Sequence, residues 1–104
     1  MKKVIDGNLY DTEKATMIAD YWNGMDFGGV HYISEELYVT AKGNYFLFGE
    51  GGAMTEYSVR CGNNSWDGSA DIISLTREEA YEWLENREQT EAIIEYFSDF
   101  IEEA

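Results

Sequence analysis

Proline is absent from the 104 residues, cysteine and histidine occur once each, and lysine plus arginine number only seven. Each shortage excludes something. A single cysteine, Cys61, leaves no intrachain disulfide, and a single histidine, His31, excludes a histidine-based metal cluster. No stretch approaches the ~18 consecutive apolar residues needed to span a bilayer. Lys2 and Lys3 are followed by Val4, Ile5 and Asp6 rather than by the long apolar run of a signal peptide, so a cytoplasmic chain is expected. Seven basic residues against 21 acidic ones give a net charge of -14, which opposes direct binding to nucleic acid or anionic lipid because phosphate contact needs a basic footprint. The balance favours a basic protein partner, or solubility alone.

Aromatic residues make up 15% of the chain, enough to exclude disorder over most of its length, and 104 residues suffice for one hydrophobic core without metal or disulfide. One domain over residues 1–104 is expected, with a sheet in 1–75 and helices in 77–103. KKVI, DGN and LYDT together have the chemistry of a hairpin in which Gly7 supplies a positive φ. ATMIADYWN reads as a strand through Thr16, Ile18, Tyr21 and Trp22. ELYVTAKGNYFLFGEGG is the clearest hairpin, reversing at Lys42-Gly43-Asn44, and MTEYSVR and ADIISL follow as short strands around the polar loop CGNNSWDGS. The fold class is therefore α+β, an antiparallel sheet of about five strands with two C-terminal helices. Thr76 and Glu79 form a capping box that starts one helix at Arg77, and a second starts at Thr90. Its stripe of Ile93, Ile94, Phe97, Phe100 and Ile101 is expected to face the core.

The second half of the chain holds thirteen acids against three arginines. Glu91, Glu95, Asp99 and Glu102 follow at spacings of four, four and three, and Glu78, Glu82 and Glu85 repeat the device on the preceding helix. Like-charge neighbours at this spacing cost about 0.2–0.5 kcal/mol per pair, so stability alone does not select such rows. A rigid row of carboxylates can imitate a phosphate backbone and occupy a basic groove; the plain alternative is a solvated helix face.

Catalytic constellations are not evident. Cys61 has only Arg60 beside it to favour a thiolate and reads as a buried or incidental thiol, with His31 a packed or surface histidine. GEGG at 49–52 lacks the Lys-Ser or Lys-Thr of a phosphate loop and reads as a bulge or tight strand exit. Asn63-Asn64-Ser65 fits a glycosylation sequon that a cytoplasmic chain never uses, and Asp67 and Asp71 fit no calcium loop. Tyr32, Tyr38, Tyr45, Phe46, Phe48 and Tyr57 lack the interleaved lysines of a base-stacking platform, leaving core packing or a partner-binding patch. No cofactor is implied, and oligomeric state stays open.

The segments LYDTEKA, ELYVTAKGNYFLFGEGGAMTEYSV and NNSWDGSADIISLTREEAYEWLE, above all LYxTxxGNYFLxGEGG and I-I-x-L-T-x-E-E-A, resemble a family of small proteins carried on mobile elements of Gram-positive bacteria. The resemblance covers roughly residues 9–85 and excludes the terminal helix. Some proteins of this kind are anti-CRISPR inhibitors of type II RNA-guided nucleases, and this implication combined with the carboxylate rows leads to the expectation of a stoichiometric inhibitor acting by acidic mimicry at a guide- or target-binding site. A non-enzymatic interaction module, antitoxin-like or adaptor, is the alternative. No catalytic residue is carried over.

Overall fold

The computed structural model describes residues 1–63 and 65–104, so Asn64 and the sequon it completes lie outside the described residues. Among the described residues eight strands come first: β1 (Lys2–Ile5), β2 (Asn8–Asp11), β3 (Thr16–Trp22), β4 (Ile33–Val39), β5 (Tyr45–Gly51), β6 (Val59–Arg60), β7 (Trp66–Asp67) and β8 (Ser69–Leu75). They are followed by α1 (Arg77–Asn86), α2 (Thr90–Tyr96) and a 3₁₀ turn at Ser98–Phe100. The α+β class holds. The strands divide into a four-stranded antiparallel sheet, ordered β3-β4-β5-β8, and two separate two-stranded ribbons, β1-β2 and β6-β7. MTEYSVR contributes only Val59 and Arg60 as strand, because residues 53–58 turn back across the sheet.

Alternation along the central strands assigns the two faces. Leu37, Tyr45 and Leu47 point to the helices and pack with Ala80, Trp83, Leu84, Ile93 and Phe97. Tyr38, Phe46 and Ile72 point the other way, under Tyr10 of the first hairpin, whose ring meets Phe46 edge-on at 5.3 Å. That hairpin reverses at Asp6 and Gly7, with φ of 50° and 80°, the pair of positive angles a tight two-residue turn requires. Lys3 then ties it to Asp71 on β8 at 2.7 Å. The hairpin covers only part of its face, and the end bearing Trp22, Ser34 and Glu50 stays open.

The capping box is formed as the sequence requires: Thr76 Oγ1 accepts from the Glu79 amide at 3.1 Å, and Glu79 Oε1 accepts from the Thr76 amide at 2.8 Å. After Asn86 the chain turns through Glu88, at φ 56°, and Gln89 Nε2 donates to the Asp20 carbonyl at 2.9 Å, fixing the helix joint against β3. The helical region is shorter than 77–103. It ends at Tyr96, the 3₁₀ turn follows, and residues 101–104 have no regular structure. This corrects the apolar stripe: Ile93 and Phe97 are buried, but Ile94, about 100° round α2 from Ile93, is exposed, and so is Ile101, where the period of 3.6 no longer applies.

Candidate functional site

The carboxylates singled out in the sequence do not form one continuous row. Glu78, Glu82 and Glu85 are exposed on α1, and Glu91 and Glu95 are exposed on α2. Asp99 lies in the 3₁₀ turn, where both of its oxygens accept from Arg77 at 2.7 Å, and Glu102 lies in the irregular tail. The spacing of four, four and three therefore stacks Glu91 on Glu95 only. Arg77 pulls Asp99 toward α1 and holds its carboxyl below the usual aspartate range.

The arginines of the helical region are both committed. Besides Asp99, Arg77 lies over the Phe97 and Phe100 rings at 5.1 and 4.7 Å. Arg87 turns inward to Glu35 on β4 at 3.0 Å, between the rings of Tyr21 and Trp83 at 4.4 and 5.1 Å. Glu35 is 3% exposed and accepts also from Trp83 Nε1 at 3.0 Å and from the Tyr57 hydroxyl. Burial, then the bond to Glu35, pushes the Tyr57 phenol upward, so it stays protonated and donating. With three donors around one carboxylate, the cluster braces α1 and the 53–58 loop on the sheet. No sequence motif announces it, because its members are separated by up to 52 positions.

GEGG is the other half of that brace. A Cβ on Gly49 would collide with the Tyr57 ring, and a Cβ on Gly52 would collide with the Gly29 and Val30 backbone, so these glycines admit the two loops that cross the strand end. Tight strand exit is the correct reading. Of the hairpin aromatics, Tyr38, Tyr45 and Phe46 are buried and Phe48 is half-buried, and they pack the two cores, whereas Tyr32 and Tyr57, also buried, donate to Glu50 and Glu35. Cys61 is exposed rather than buried, and partial desolvation followed by the Asp67 carboxylate pushes its thiol upward, away from nucleophilic use. His31 is exposed, and among the described residues no group of three or more His, Cys, Asp or Glu could hold a metal.

Exposed apolar side chains gather elsewhere, at the uncovered end of the sheet. Trp22 is 49% exposed and stacks on Phe27, 69% exposed, with centroids 5.1 Å apart, and Phe27 leans on Tyr32 at 4.9 Å. The Met54 amide donates to the Val30 carbonyl at 2.8 Å, which places two more exposed side chains on the same rim. Between these loops and Trp66 opens a cavity of about 570 Å³, lined by Val30, Tyr32, Glu50, Gly52, Trp66 and Asp67 among others. Burial, then the hydrogen bond to Glu50, raises the Tyr32 phenol above its ordinary value. The sequence signal for this patch was apolar side chains inside the turn-rich stretch NGMDFGGV, where a surface loop has no core to serve.

Compared with known proteins, the chain matches no family model, no curated protein and no solved structure.

Proposed function

We propose that the chain is a non-enzymatic binding protein whose acidic helical layer occupies a basic nucleic-acid groove on a partner protein. The observation that carries this reading is that both helical-region arginines are engaged by other carboxylates, Arg77 at the surface and Arg87 inward. Arg77 is held by Asp99 and Arg87 by Glu35, so Glu78, Glu82, Glu85, Glu91 and Glu95 face solvent with no ion pair among the described residues. Glu85 accepts from the Tyr81 hydroxyl at 2.6 Å, which orients its carboxylate without neutralising it. An unneutralised array of this kind attracts a positive cleft over several ångströms and raises the encounter rate. The family resemblance names the partner class: RNA-guided nucleases of type II hold guide and target in positive channels read through the backbone, and an acidic decoy in such a channel inhibits stoichiometrically.

The test is a competition assay in which guide RNA or target DNA and this protein are offered to the nuclease across a salt series. A variant with Glu78, Glu82, Glu85, Glu91 and Glu95 all changed to glutamine is expected to inhibit less than the wild type at low salt. The difference should shrink as the Debye length falls from about 10 Å at 0.1 M to about 3 Å at 1 M. Equal inhibition by both proteins at low salt removes the mimicry reading. A second reading, an interaction module of antitoxin or adaptor type, is favoured by the exposed Trp22, Phe27 and Met54 rim. In that case Phe27→Ala abolishes partner capture and the glutamine variant does not.

A further inference from the structure

The cavity at the open sheet end combines features that the helical carboxylates lack. Its lining includes the 54%-exposed Trp66, buried Tyr32 and two acidic residues from different strands, Glu50 on β5 and Asp67 on β7, whose carboxylate also acts on the Cys61 thiol. The Tyr32 hydroxyl donates to Glu50 Oε1, which aims the carboxylate, and among the described residues no donor reaches Oε2. The ion pairs among the described residues are Lys3 with Asp71, Arg77 with Asp99 and Arg87 with Glu35, so neither cavity carboxylate is neutralised from within. Backbone fixes the shape: the Gly52 amide donates to the Tyr32 carbonyl at 2.9 Å, and a Cβ on Gly68 would collide with the Gly51 carbonyl.

Two acidic residues and the exposed Trp66 ring along about 570 Å³ favour a cation with a flat face. A metal is disfavoured by the ligand set, since no third carboxylate, histidine or cysteine joins Glu50 and Asp67 among the described residues. A guanidinium suits this lining, because it stacks on an exposed aromatic ring such as Trp66 through its plane while its edge donates in a fork to a carboxylate such as that of Glu50. The same protein pairs these groups internally, where Arg87 lies on Tyr21 and Trp83 and donates through Nη2 alone to Glu35. The geometry points to this cavity as the receptor for an arginine side chain of the basic partner, with the Trp22, Phe27, Val30 and Met54 rim covering the apolar residues beside that arginine. The inference rests on the proposed basic partner for its biological source, but the pocket chemistry is testable without that partner.

The probe is acetyl-arginine amide, titrated into the full chain and followed by amide and indole resonances, with acetyl-lysine amide and the neutral isostere acetyl-citrulline amide in parallel. Arginine amide is expected to shift Gly51, Gly52, Gly68 and the Trp66 indole, lysine amide to bind more weakly, and citrulline amide to leave the spectrum unchanged. The double variant Glu50→Gln, Asp67→Asn retains an acceptor for the Tyr32 hydroxyl and is expected to lose about tenfold or more in affinity. The Glu91→Gln, Glu95→Gln variant is expected to bind the probe as the wild type does. Equal responses to arginine and citrulline, equal binding by the double variant, a lysine response as strong as arginine, or shifts mapping to α2 each overturn the assignment. Because no nuclease is present, failure here leaves the competition assay to judge the helical surface separately.

Discussion

Gly49 shows how much depends on single atoms in this sheet. It sits opposite Glu35 on β4 and Asp71 on β8, and the missing side chain is what lets the Tyr57 ring lie across β5 and reach Glu35. Tyr57 is itself buried and cannot step aside into solvent. Gly49→Ala is therefore expected to destabilise the protein by about 1–3 kcal/mol through overpacking. It should also release the tyrosine, which a denaturant titration with tyrosine absorbance can follow. A stability loss without any change in the Tyr57 phenol would show that the ring does not depend on this gap. Leu47→Ile on the same face has no such consequence, since it changes shape without filling occupied space.

At the scale of elements, the joint between α1 and the chain terminus rests on one exposed pair and a small aromatic stack. Arg77 grips Asp99 with both forks, its guanidinium covers Phe97 and Phe100, and Phe100 meets Tyr81 at 5.1 Å. The bond from Arg77 holds the Asp99 carboxyl below its ordinary value. A depressed carboxyl contributes stability that is present above the unfolded value of about 3.9 and is lost as pH falls through the lower folded value. Acidification from about pH 5 to about pH 2 is thus expected to loosen the 3₁₀ turn from α1. In amide exchange, protection at Phe100 should fall over this range in the wild type, whereas Asp99→Asn should show low protection at every pH. A wild-type profile that is flat with pH would exclude the pair as the tether.

The whole molecule carries -14 on a slab of 50 × 34 × 19 Å, and only three ion pairs are seen among the described residues. At 0.01 M salt the Debye length of about 30 Å spans much of that body, so its carboxylates repel across the full surface, while at 0.15 M about 8 Å confines the repulsion to neighbours. Thermal stability is therefore expected to rise with salt between these two conditions. A protein held mainly by surface pairs would lose stability instead, and a falling melting temperature would overturn this account. Among the described residues no helix is long and apolar enough to cross a membrane.

Local chemistry was legible without the fold. The Asp6-Gly7 turn, the Thr76 and Glu79 cap, the break before Thr90 and the pairing of the Gly43 hairpin each depend on residues within a few positions of one another, so propensity and hydrogen-bonding geometry decide them in any context. Alternation on β4 and β5 sorts side chains between two faces without deciding their burial, since Tyr45, Phe46 and Leu47 in succession are all buried, in cores on opposite sides of the sheet. Three matters were settled only by tertiary contact. Arg77 captures Asp99 and ends the carboxylate row that helical spacing implied; Glu35 meets Trp83 and Arg87 from 48 and 52 residues away; and Glu50 and Asp67 come to one cavity because β8 returns beside β5. The physical reason is common to all three: a charge chooses its partner by distance through space, and periodicity along the chain carries no information about which distant element the fold will bring within 3 Å.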